Sequence, residues 1–220
     1  MTFQRARSEE QRAERRRTIL ATAETMLTEM PVAQLSLNEL SRRVGLAKSN
    51  VLNYFESREA VLLELVDTQT AAWVQSLADG LATVAPAASV AERGEQLTAV
   101  VVETLKARPV LCDLVSAQAA VLEHNISAEM ALTFKRATVG HFRRMIEVVR
   151  GALPELGEEG AAQFISTAAL LAGAIWSHAC AGPAIRAAYE ADPSLAALRI
   201  EFEPAMTQSL NALLYGLLPR

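Results

Sequence analysis

Two short helical stretches joined at a glycine, LSLNELSRRVGLAKSNVLNYFESR from Leu35 to Arg58, set the tightest limit on how this chain folds. Ser36 is placed to open the first helix. Its hydroxyl can accept the N–H of Glu39, and the Glu39 carboxylate can reach back to the Ser36 N–H, which together make a capping box. Leu37, Leu40 and Val44 recur at helical spacing and leave Asn38, Glu39, Arg42 and Arg43 outward. Gly45 ends the run, because a residue without Cβ takes the left-handed conformation that a sharp turn requires.

A second helix is predicted over Ala47 to Phe55. Val51 and Phe55 point inward at i, i+4, with Leu46 and Leu52 beside them. Lys48, Ser49, Asn50, Asn53 and Tyr54 are left with no apolar role, a density of polar groups that core formation does not explain. Helix, glycine turn and polar second helix is the helix-turn-helix arrangement, whose second helix lies in the major groove of DNA.

The run NELSRRVGLAKSNVLNYFESREAVLLELV resembles the N-terminal DNA-binding domain of the TetR family of bacterial transcriptional regulators. The resemblance spans about Thr18 to Val66 and is carried by several elements in order: an apolar-patterned first helix, the helix-turn-helix, the Tyr54-Phe55 step, and a Ser-Arg-Glu entry into a long fourth helix. It implies an all-α fold of about nine or ten helices. A helix-turn-helix domain over 1–60 would precede a helical ligand-binding and dimerisation domain over 61–220. It also implies a homodimer released from its operator when a small molecule binds. Two positions depart from the family pattern. Ala47 replaces a frequent Ser or Thr, and Leu52 replaces a frequent tyrosine, so two hydroxyls that could meet phosphates are missing. The weight shifts to Lys48, Tyr54 and Arg58.

Composition agrees with a globular helical protein: 51% of the residues are hydrophobic and 21% charged. The net charge of −4 argues against a generic nucleic-acid binder, but Arg5, Arg7, Arg12, Arg15, Arg16 and Arg17 gather near the N-terminus. Arg12, Arg15, Arg16 and Arg17 read either as an arm toward the DNA backbone or as a solvated face paired with Glu9, Glu10 and Glu14. Cys112 and Cys180 lack CxxC spacing and read as buried free thiols rather than a redox or metal pair. The opening residues lack the apolar stretch of a signal peptide, which predicts a cytoplasmic protein.

Along the chain, a first helix is predicted from Ser8, capped with Gln11, through Ile19, Ala23, Met26, Leu27 and Met30 to a stop at Pro31. Ser57 caps a fourth helix that reaches Asp79 or Gly80. After a loop at Pro86, helices follow from Ser89 to before Pro109, from Pro109 to Glu123, and from Ala128 to Ala152 behind the cap Ser127. Gly160 to Ile185 carries no charge. A membrane span is weighed, but the interrupting Gln163, Ser166, Thr167, Ser177 and His178 favour a buried interface helix, with Gly173 admitting a close neighbour from the dimer partner. Short helical pieces are expected around Asp192-Pro193, then a last helix near Glu203 carrying Met206, Leu210, Leu213, Leu214 and Leu217.

No phosphate-binding glycine loop, HExxH, GxSxG or paired-carboxylate motif is present, and His124, His141 and His178 share no metal-ligand spacing. No catalytic residue, metal or cofactor is therefore assigned. In a DNA-binding protein of the resembled family, Ser36, Lys48, Tyr54 and Arg58 would contact phosphates, and Asn38, Ser49, Asn50 and Asn53 would reach base edges. The resemblance also suggests a cavity for a hydrophobic effector, with Trp73, Phe134, His141, Met145 and Trp176 as candidate lining. A small helical enzyme or a membrane-associated scaffold using 160–185 are the competing classes.

Overall fold

The computed structural model describes residues 2–85 and 87–219, with side chains from residue 9 onward. Ten α-helices are seen among the described residues: α1 (Thr2–Glu29), α2 (Leu37–Val44), α3 (Lys48–Leu52), α4 (Arg58–Leu81), α5 (Val90–Lys106), α6 (Pro109–Ala117), α7 (Ala128–Ala152), α8 (Gly157–Ala179), α9 (Pro183–Ala191) and α10 (Phe202–Leu217). Short 3-10 turns precede α2, α8 and α10, and a π turn over Gln118–Leu122 continues α6. The all-α expectation holds.

Several helix starts follow from serine side chains that satisfy exposed N–H groups. Ser57 accepts the Ala60 N–H (3.1 Å), and Ser127 that of Met130 (3.1 Å). Ser89 and Glu92 form a complete capping box, in which the Glu92 carboxylate accepts the Ser89 N–H at 2.8 Å. Pro31 follows the end of α1. One boundary differs. α1 starts at Thr2 rather than Ser8, because Gln4, Arg5, Ala6 and Arg7 are good helix formers and nothing among them interrupts the turn. The Ser8 cap lies outside the described side chains, and Pro86 outside the described residues.

The chain divides into two compact units. The first comprises residues 1–68 and 117–136, and the second residues 69–116 and 137–220. In the first, α1 packs on α2 and α2 on α3 around Ile19, Ala23, Met26, Leu40, Val51, Phe55 and Leu62, each 2% exposed or less. Residues 117–136 belong to this unit, where the Ser127 N–H donates to Glu56 at 2.7 Å. In the second, α10 packs on both α5 and α8, and Leu97, Val101, Phe164, Ile165, Ala168, Met206 and Leu210 fill the space between.

α8 with its leading turn, Pro154–Ala179, is long and apolar enough to cross a membrane by length and composition. Its inward face, Ala161, Phe164, Ile165, Ala168, Ala172 and Ile175, is buried in the second unit's own core. Gly173 has a different role from the one expected. A Cβ there would lie 3.3 Å from the backbone of Ser116, so the close neighbour that needs the glycine is the end of α6 in the same chain. Cys112 is buried as expected, whereas Cys180 follows the last turn of α8 and is exposed.

Candidate nucleic-acid interface

Ser36 sits in extended backbone and accepts the Glu39 N–H at 3.2 Å. Only this half of the expected capping box forms. The Glu39 carboxylate is taken by Arg42 (2.6 and 2.9 Å) and Arg43 (3.0 Å), whose guanidiniums outcompete a neutral N–H. Hydrogen bonds from Arg42 and then Arg43 hold the Glu39 carboxyl down at about 2. At the other end Gly45 takes φ 73°, and the Leu46 N–H returns to the Ser41 carbonyl at 2.9 Å, turning the chain into α3.

α3 is five residues long, too short to stand by itself. Val51 and Phe55 anchor it, at 0% and 2% exposure. Its C-terminal end is gripped by α1: Arg12 donates to the Asn53 carbonyl at 2.9 Å and lies over the Tyr54 ring, while Arg16 donates to the Tyr54 carbonyl and to Glu64. The Arg16 guanidinium also stacks 4.1 Å above the Phe55 ring. Arg17 pairs with Glu14 along the helix. Of the two readings of the basic cluster, Arg17 fits the paired face, whereas Arg12 and Arg16 fit neither, since they hold the second helix of the motif. A signal for this was in the sequence: residues 12 and 16 continue the i, i+3, i+4 stripe of Ile19, Ala23 and Met26.

What α3 leaves outward is the candidate interface. Lys48, Ser49, Asn50 and Asn53 are exposed, and Tyr54 is half-buried. Ser36 and Asn38 are exposed on the adjoining α2, where the Asn38 carbonyl accepts the Ser41 hydroxyl at 2.8 Å. Arg58 is placed differently from the rest. Its guanidinium donates to the Val32 and Leu35 carbonyls and to Glu59, so its donors tie the entry of α2 to the start of α4. Leu52 also departs from expectation. It is 41% exposed because Val51 and Phe55 already occupy the space beneath α3.

The chain matches the family described as bacterial regulatory proteins, tetR family, over residues 19–65, and the tetracyclin repressor-like C-terminal domain over residues 67–220. It belongs to the TetR family. It is 45% identical over 49 residues to the HTH-type transcriptional regulator EthR of Mycobacterium tuberculosis, which is 22% of this chain and 23% of EthR. EthR of Mycolicibacterium smegmatis is 39% identical over 54 residues, 24% of this chain and 25% of that protein. The chain therefore spans about a quarter of the length of these curated relatives. Among solved structures, the fatty acid degradation regulator FadR from Bacillus halodurans superposes with a TM-score of 0.56 at 17% identity, covering 92% of this chain and 98% of FadR. A protein of unknown function from Rhodococcus sp. RHA1 gives 0.54 at 20% identity over 93% and 96%. These two share the TetR fold.

The C-terminal TetR domain is where an effector site was expected. Trp73 is buried and donates its indole N–H to Thr104 at 3.0 Å. Met145 is buried, His141 half-buried, and Trp176 packs edge-on against Phe202 at 5.5 Å. Phe134 is buried in the first unit, with Lys135 over its ring. Two open hollows of the second unit, about 740 Å³ beside Lys106 and Phe202 and about 390 Å³ beside Leu81 and Val148, are lined by none of these five residues. Among the described residues, no group of three or more His, Cys, Asp or Glu side chains could hold a metal ion.

Proposed function

We propose that this chain is a dimeric transcriptional repressor that binds a near-palindromic operator and leaves it when a small hydrophobic molecule binds the C-terminal domain. The observation that carries the reading is the surface of α3 and the turn after it, which bury Val51 and Phe55 and leave Lys48, Ser49, Asn50 and Asn53 to solvent. Asn50, Ser49, Asn53 and Asn38 read base edges; Lys48, Ser36 and Tyr54 fix the register through phosphates. Arg58 serves the interface indirectly, by holding the backbone at Val32 and Leu35. Two copies of α3 sit about one DNA turn, roughly 34 Å, apart or somewhat more. The protein acts in the cytoplasm, where its DNA is.

The dimer forms through the outward faces of α8 and α10. Gln163, Ser166, Leu170, Ala174 and Ser177 make one exposed stripe on α8, and Leu170 is 76% exposed. Tyr215 on α10 is 84% exposed. Effector binding beside the second unit's Trp73, His141, Met145 and Trp176 favours a conformer with another spacing of the two α3 helices, and operator affinity falls by that population shift.

Substituting Asn50 and Lys48 separates the two kinds of contact. Asn50→Ala should lose about 1 to 3 kcal/mol of discrimination between preferred and random duplex, with its salt dependence unchanged. Lys48→Ala should weaken both duplexes alike and reduce the salt slope by about 1 per half-site, about 2 for the dimer. Fluorescence anisotropy titrations at several salt concentrations measure both, and an unchanged specificity profile in Asn50→Ala removes that residue as a base reader.

A further inference from the structure

We infer that Leu52 reads a thymine methyl group in each half-site, an assignment that rests on the DNA-binding reading above. Leu52 ends α3 on the turn whose inward positions, Val51 and Phe55, are already sealed, and it stays 41% exposed. Lys48 lies one turn before it at i, i+4, and Ser49 and Asn53 flank it, all exposed. An isobutyl group thus stands within a surface otherwise made of hydrogen-bonding groups. Its position is fixed by the backbone: Arg12 holds the Asn53 carbonyl, and the Asn53 N–H donates to the Asn50 carbonyl at 3.2 Å.

Base edges in the major groove offer hydrogen-bonding atoms with one exception, the C5 methyl group of thymine. A leucine laid on a guanine, adenine or cytosine edge strips water from donors and acceptors and returns no partner. Laid on thymine, it removes two apolar surfaces from water at once. Leu52 therefore acts in both directions, favouring thymine and penalising the other bases. The missing tyrosine hydroxyl at this position is replaced by a different kind of readout.

The test uses the full-length chain and a duplex selected by it from a random pool. Each thymine is replaced by uracil, symmetrically in both half-sites, so that only the methyl group is lost. At one thymine position wild-type binding should weaken by about fourfold per half-site, the worth of one buried methyl group, and about sixteenfold for the whole duplex. Leu52→Ala should bind the thymine and uracil duplexes equally, while Leu52→Met, which keeps an apolar reach, should retain a preference for thymine. Where Leu52→Ala lowers the melting temperature, Leu52→Gln takes its place and should be equally blind to the methyl group. Uracil tolerated at every position, or a Leu52→Ala protein as sensitive to the methyl group as wild type, overturns the assignment to Leu52 and leaves the DNA-binding reading standing. A selection that enriches no duplex overturns both.

Discussion

Glu39 shows how a single side chain can be read correctly in place and incorrectly in role. Its position three residues after Ser36 is that of a capping box, but Arg42 and Arg43 on the following turn bind its carboxylate more strongly than a backbone N–H can. Those hydrogen bonds keep the carboxyl at about 2. A carboxylate held below its unfolded value stabilises the fold above that value, and the contribution is lost as pH falls through the folded value. Wild type should therefore lose melting temperature relative to Glu39→Gln as pH is lowered from about 5 toward 2, by an amount that shrinks in high salt because the cluster faces solvent. Parallel melting curves over that range would remove Glu39 as a contributor. Cys112 is a simpler case: burial pushes its thiol up to about 12, so it stays protonated and inert at neutral pH. Exposed Cys180 is then the thiol that alkylating reagents reach first in the folded protein.

At the scale of elements, the helix-turn-helix was legible because its signals are local. Ser36, Gly45 and the Leu37, Leu40, Val44 stripe each act within a few residues. What holds the second helix was harder to see. Spacing offers Arg12 an intrahelical partner in Glu9 at i−3 and gives Arg16 no carboxylate at i±3 or i±4, but it does not say what either meets elsewhere in the fold. Only the fold brings in the Asn53 and Tyr54 carbonyls and Glu64 from across the unit. Leu52 was missed for the related reason that two inward residues, not three, suffice to seat a five-residue helix. Gly173 in an uncharged helix suggests a contact between copies, but its neighbour is the backbone of Ser116. Pairing at that range is not encoded in local pattern. Because α3 depends on the Arg16 clamp, Arg16→Ala should lower stability by about 1 to 3 kcal/mol, and weaken preferred and random duplexes together. Thermal melting and anisotropy check this; a loss of specificity with stability intact would instead make Arg16 a direct DNA contact.

At the scale of the whole molecule, TetR membership rests on matches that together run from residue 19 to residue 220. The second unit encloses its own core between α5, α8 and α10, and leaves Leu170 and Tyr215 at 76% and 84% exposure. Single exposed apolar residues are ordinary on a monomer, but here they lie on the two helices whose opposite faces pack into the core. Leu170→Glu places a charge on both sides of a two-fold interface, so it should give a mass of 23.8 kDa in sedimentation rather than twice that. The monomer should also lose operator affinity while retaining its helicity; an unchanged mass would place the interface elsewhere. The central claim is that α3 reads DNA. Selection of bound duplex from a random pool by the full-length protein, at moderate ionic strength, tests it most directly. A motif with two-fold symmetry, its half-sites about one helical turn apart or somewhat more, is the predicted result. A pool that stays random after repeated rounds would contradict it.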